Sequence, residues 1–216
     1  MPESKKPASI KRCWWADGHP LMADYHDKEW GAPAHDDRVH FEFLILEAAQ
    51  AGLSWLTVLK KREGYRKHFA GYDWEKVAKF GEADVKRMLK DPGIIRNELK
   101  VRSAISNARP FIAVRKEFGS FDRYLWSFVG GKQVCNPVRS KKDLVANSLL
   151  SDAISKDLKK RGFRFVGTTV IYSHLQAVGV VNDHELGCFR RRPGAVRYAG
   201  RAPRAGKKEL SARFSA

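Results

Sequence analysis

The sequence predicts an all-α protein, and three observations carry that expectation. Apolar residues recur at helical spacing, Ser, Asp and Asn stand where helices would start, and strand-like alternation is scarce. Asp36 or Asp37 can cap a helix running to about Ala51, and Ser54 can cap another containing Leu56, Val58 and Leu59. Further helices are expected over residues 74–80, 82–90 and 97–118, the last bent or broken at Pro110. Ser151 opens a segment with Ile154 and Leu158 on one face and Gly162 available to end it. Residues 166–181 read as a final buried helix. Residues 1–10 and 194–216 are polar tails, the second rich in arginine, which leaves one domain over residues 11–193.

A chain of 216 residues with 43% hydrophobic content can bury a substantial core. No apolar run approaches membrane-spanning length, and the first residues lack the apolar centre of a signal peptide. Three cysteines cannot complete a disulfide framework, so a reducing, cytoplasmic setting is expected. The net charge of +17 would displace counterions from phosphates, which favours nucleic acid as partner over a charge that serves solubility alone.

Cys13, His26, His184 and Cys188 form a candidate metal set. Placed on a helical turn, His184 and Cys188, four apart, would face the same way, and the twelve residues between Cys13 and His26 allow a loop to bring them together. Two thiolates and two imidazoles make a closed tetrahedral set, which suits structural zinc and leaves no position for a catalytic water. Each residue alone is more ordinary, since a lone Cys or His usually packs or hydrogen-bonds within a fold. Joining the first segment to the last would close a very long loop. Cys135 is expected to be a bystander, and an iron–sulfur cluster would need a fourth cysteine.

On the predicted helix through residue 47, Glu47 projects between Phe43 and the group His40, Leu44 and Ala51, whereas Glu42 points away from it. Burying that carboxylate costs several kcal/mol unless a donor or cation answers it. One reading pairs Glu47 with a nearby Arg or Lys as a support of the fold. The other makes it the anionic acceptor of a pocket whose walls come from Tyr25, Trp30 and Trp55, a receptacle for a cationic planar base.

Between two helical segments lies Asp91-Pro92-Gly93-Ile94-Ile95-Arg96-Asn97. Gly93 permits a tight turn, Ile94 and Ile95 can anchor the helices, and Asn97 can cap the second, whose free N–H groups would face an anion. Arg96 and Lys100 add charge at that end. This is the layout of a hairpin that holds DNA backbone without reading sequence.

Taken together, these segments resemble the 3-methyladenine DNA glycosylase I family, the zinc-containing branch of the helix-hairpin-helix glycosylases. The matching stretches are Arg12-Cys13, Tyr25-His-Asp-Lys-Glu-Trp-Gly31, Gln50-Ala-Gly-Leu-Ser-Trp55, Leu59-Lys-Lys-Arg-Glu63 and Gly93-Ile-Ile-Arg96. Trp126-Ser-Phe128, the run from Leu158 to Thr169, and Val181-Asn-Asp-His-Glu-Leu-Gly-Cys188 complete a set that covers about residues 11–190 in order.

The resemblance implies an all-α helix-hairpin-helix fold with zinc held by Cys13, His26, His184 and Cys188. It implies a monofunctional N-glycosyl hydrolase that flips 3-methyladenine out of alkylated double-stranded DNA and releases the free base without cutting the strand. Glu47 and Tyr25 would hydrogen-bond the base, Trp55 would stack on it, Trp15 and Trp30 would complete the pocket, and Leu53 would plug the gap left in the duplex. The hairpin residues Gly93, Ile94, Ile95 and Arg96, with Lys100, would hold phosphates. A monomer that does not enter membranes is expected.

Two departures stand out. Met22 replaces a tyrosine common in the family's pocket, which softens stacking there and leaves a shifted lesion preference open. Ala48-Ala49 replace a common Gly-Gln pair, a change of packing. The family lacks the aspartate that related glycosylases use opposite the sugar, so no general base is named. A DNA- or RNA-binding module without activity is the competing class, and it would pack Trp55 and Tyr25 rather than leave them lining a cavity.

Overall fold

The computed structural model describes residues 10–192, so the predicted tails fall outside the described residues apart from Ile10. Ten α-helices order the described chain: α1 (Pro20–Lys28), α2 (Asp37–Gln50), α3 (Trp55–Leu59), α4 (Arg62–His68), α5 (Trp74–Val77), α6 (Glu82–Lys90), α7 (Glu98–Phe118), α8 (Phe121–Ser127), α9 (Leu149–Lys160) and α10 (Thr168–Ala177). Two short strands, β1 (Val134–Cys135) and β2 (Val181–Asn182), pair in parallel. None of these helices is long and apolar enough to cross a membrane.

α2 is the central element. Asp36 caps it by accepting from the Arg38 N–H, and every residue from His40 to Ala49 is buried. It packs against α3, α4, α7, α8 and α10, which explains why its apolar residues surround the helix instead of forming one stripe. Asp37 accepts from the backbone N–H groups of Phe121 and Asp122, so a side chain of α2 also anchors the start of α8.

Several predicted boundaries move. Pro110 neither breaks nor ends α7, which continues to Phe118. One backbone bond is lost at proline, and the burial of Ala108, Phe111 and Val114 around it holds the helix in place. Ser148, not Ser151, caps α9 by accepting from the Ser151 N–H. The predicted last helix stops at Ala177, well short of residue 181. Gly179 ends it with a φ of +69°, and a Cβ there would lie 2.3 Å from the Ala32 carbonyl. The chain then enters β2, which brings His184 beside Cys13, His26 and Cys188.

The hairpin predicted at 91–97 joins α6 to α7. Asn97 caps α7 by accepting from the Lys100 N–H, and Ile94 is buried beneath the turn. Asp91 accepts from the Gly93 N–H at 2.6 Å, and Lys61 donates to the Pro92 carbonyl at 2.6 Å. Gly64 of α4 supports the same turn from below: a Cβ there would stand 2.2 Å from the Gly93 carbonyl oxygen. Gly64→Ala is therefore expected to displace the hairpin and cost about 1–3 kcal/mol, readable by denaturant unfolding. Unchanged stability would show that the contact relaxes freely.

Candidate active site

A cleft of about 310 Å³ opens where α1, α2, α3 and α10 converge. Its walls include Trp15, Met22, Tyr25, Trp30 and Trp55, and Glu47 reaches it from α2. All six were expected here from the sequence, and the structure brings them together. The rings brace one another: Trp15 meets Trp30 edge-on at 4.9 Å, and Tyr25 lies 5.2 Å from Trp55.

Glu47 is 4% exposed, and its Oε2 is buried without a hydrogen-bond partner among the described residues. The reading that paired it with a nearby cation does not hold. The available guanidinium, Arg62, instead binds Glu29 and the buried Glu42, both at 2.7 Å. Glu42 thus lies on another face of α2, as expected, but is buried and satisfied there. Burial alone pushes the Glu47 carboxyl up to about 8. Burial, reinforced by the negative charge of Glu47, also holds the Tyr25 phenol well above its ordinary range, so it stays a hydroxyl able to donate. The indole N–H of Trp55 is likewise buried without a partner. The cleft therefore holds two buried polar atoms without a partner among the described residues, Glu47 Oε2 and the Trp55 N–H, beside the Tyr25 hydroxyl.

Five further residues line the cleft that the sequence reading missed: Gln50, Leu144, Val145, Ser173 and Gln176. Gln50 sits three residues after Glu47 on the same helix, and Ser173 and Gln176 share a face of α10, spacings that could have marked them. Leu144 and Val145 come from the connection between β1 and α9, which carries no periodic signal.

Beside the cleft, Cys13, His26, His184 and Cys188 are all buried, with ligand atoms within 4.8 Å of one another. Cys188 Sγ lies 3.3 Å from His26 Nε2 and 3.4 Å from His184 Nδ1, and Cys13 Sγ lies 3.4 Å from His184 Nδ1. The edges of a tetrahedron built from metal–sulfur and metal–nitrogen bonds measure about 3.6 Å. The donors therefore fit a metal ion. Outer contacts fit as well: Asp27 binds His26 Nδ1 at 2.8 Å, the Trp30 carbonyl binds His184 Nε2 at 2.9 Å, and the N–H groups of Glu185 and Arg190 point at the two sulfurs. Burial lowers the proton affinity of His26 and His184, which favours the neutral rings a metal requires. His184 and Cys188 do not share a helical turn as expected. They flank a tight turn after β2, with the Cys188 N–H donating to the Glu185 carbonyl. Cys135 lies in β1 outside the cluster.

The hairpin residues Gly93, Ile94, Ile95 and Arg96 lie together as expected, and Arg96 is exposed. Leu53 is 41% exposed on the turn between α2 and α3, adjacent to the cleft wall formed by Trp55. Lys100 departs from expectation. Its ammonium donates to the carbonyls of Ala49 at 2.8 Å and Ala51 at 2.6 Å, so it closes the end of α2 instead of projecting toward a phosphate.

An unpaired carboxylate among indoles suits a flat, positively charged ring, and with the basic chain around it marks the class of enzymes that excise damaged bases. The sequence matches the methyladenine glycosylase family over residues 15–191. It is 46% identical over 179 residues to DNA-3-methyladenine glycosylase 1 of Escherichia coli K12, covering 83% of this chain and 96% of that one. A crystal structure of 3-methyladenine DNA glycosylase I superposes with a TM-score of 0.82 at 48% identity, covering 84% of this chain and all of the other. A tyrosine-to-phenylalanine variant of a 3-methyladenine DNA glycosylase I in complex with 3-methyladenine gives a TM-score of 0.80 at 34% identity, with 83% of this chain and 96% of the other covered. This chain belongs to the methyladenine glycosylase family and is a glycosylase.

Proposed function

We propose that this glycosylase flips 3-methyladenine out of alkylated double-stranded DNA and hydrolyses its bond to the sugar, leaving the strand intact. The observation that carries the reading is the buried, unpaired Glu47 in an aromatic cleft. Methylation at N3 places positive charge on adenine, so the base departs neutral and needs little acid assistance. The cleft supplies what such a base lacks elsewhere: indole faces for the cation, a hydroxyl from Tyr25, and a carboxyl that ionises when the cation arrives. In the free protein burial pushes that carboxyl up to about 8, which favours its protonated form at neutral pH. Base binding is thereby linked to proton release. The Glu47 charge and the dry cleft favour breaking of the glycosidic bond, whose electron pair leaves with the now neutral base; water then adds to the sugar cation and gives up a proton to solvent.

Leu53 fills the space the base vacates, and the hairpin with Arg96 holds the backbone through N–H groups and charge. Strand cleavage would need an amine at the sugar. Among the described residues no lysine lines the cleft, and the Lys100 amine is directed at two carbonyls. The Cys13, His26, His184 and Cys188 cluster holds zinc as a structural ion, joining the two ends of a monomeric, cytoplasmic protein. When bound, the metal supplies only cohesion, because four protein donors leave it no free position.

Incubating the protein with methylated DNA and separating the products by chromatography should show free 3-methyladenine and uncut abasic strands. Absence of released base would refute the reading, and a borohydride-trapped protein–DNA adduct would refute the monofunctional part.

A further inference from the structure

Behind the cleft wall lies a buried carboxylate that the proposed reaction does not use. Asp183 is 2% exposed, and three side chains converge on it. The Tyr172 hydroxyl donates to Oδ2 at 2.6 Å, the Asn136 amide donates to Oδ1 at 2.7 Å, and the Gln176 Nε2 donates to Oδ2 at 2.7 Å. The proton positions in this network are forced. Asn136 Nδ2 also faces the Tyr172 oxygen at 3.3 Å, so the phenol must direct its own hydrogen at Asp183, which accepts. Turning the Gln176 amide over would set its oxygen against that same carboxylate oxygen, acceptor against acceptor. Gln176 is therefore locked with its NH₂ toward Asp183.

Gln176 also lines the cleft, on the same face of α10 as Ser173. With Nε2 held behind the wall, the atom left for the cleft is Oε1, a pure acceptor that has no partner among the described residues. Adenine carries an exocyclic 6-amino donor, whereas a 6-oxo purine presents an acceptor at the same place. We propose that Gln176, oriented by Asp183, accepts a hydrogen bond from the 6-amino group and selects 6-amino over 6-oxo purines. Both N–H groups of that amine can then be answered, one by Glu47 and one by Gln176. Asp183 acts only through Gln176 and is a positioning residue. The inference rests on the proposed 3-methyladenine activity.

The test compares the binding of free 3-methyladenine and of 3-methylhypoxanthine, which carries oxygen in place of the amine, by tryptophan fluorescence. Wild type should prefer the amine. Gln176→Met, similar in shape but without the amide, should bind 3-methyladenine about tenfold more weakly while binding the 6-oxo base equally or more tightly. Equal weakening of both bases, or an unchanged preference, would overturn the proposal. Should the Met variant fail to fold by circular dichroism, Asp183→Asn carries the same comparison. Its added N–H allows the Gln176 amide to turn over, so the preference should narrow there too, and a preserved preference overturns the proposal. Failure of the wild type to bind or release 3-methyladenine would instead refute the proposed substrate.

Discussion

Glu47→Gln should reduce release of 3-methyladenine at least about a hundredfold while making the free protein more stable above pH 5. The two effects share one cause. Burial raises the Glu47 carboxyl to about 8, with no opposing donor or cation. The unfolded chain loses that proton in the ordinary carboxylate range, but the folded chain keeps it until about pH 8. Stability therefore falls as pH rises across this window and levels off beyond it. At about 1.4 kcal/mol per unit, the accumulated cost is a few kcal/mol by pH 8. Glutamine never ionises and escapes it. Denaturant unfolding of both proteins at pH 5 and pH 8 should show a gap that is small in acid and several kcal/mol in base. A gap that does not change with pH would sink the claim of a costly buried acid, and full excision by the variant would remove Glu47 from the reaction.

That cost also explains why the site is legible in the sequence. A carboxylate between Phe43, Leu44 and His40 contradicts the apolar surroundings, and such contradictions concentrate where function requires them. α2 and α7 were legible for the complementary reason that long helical patterns follow a capping Asp36 and Asn97, and α9 by its pattern alone. α1, α4 and α8 were not expected: with nine, seven and seven residues they carry little periodicity of their own, and tertiary packing decides them. The end of α10 is not legible because Gly179 sits inside the apolar run 166–181, and its positive φ and close approach to Ala32 arise only in the folded chain. Lys100 was misassigned on charge and position alone. Nothing in the sequence shows that the end of α2 comes close enough to take its hydrogen bonds. The pairing of Gln176 with Asp183 is not legible for a similar reason: it spans the turn from α10 to β2 and exists only once that turn is built.

Cys188→Ser or exhaustive chelation should lower the stability of the whole protein, not of one segment. The cluster ties the entry to α1 and the strand β2 to each other, closing a loop of more than a hundred residues. An ion bound with a thousandfold excess over its dissociation constant contributes about 4 kcal/mol to the folded state. Without it, two thiols and two imidazoles remain buried with hydrogen bonds arranged for charged sulfurs. The loss should reach the cleft as well, because Trp30 packs edge-on to His184 at 4.6 Å and Trp15 to His26 at 5.2 Å. The Cys/His cluster thus backs two of the indole walls. Metal analysis should find about one zinc per chain, and thermal unfolding should shift down by many degrees on chelation, with weaker base binding below the transition. If the protein purifies without metal and chelators leave both unfolding and base affinity unchanged, the four residues are held by packing alone and the staple is not a metal site.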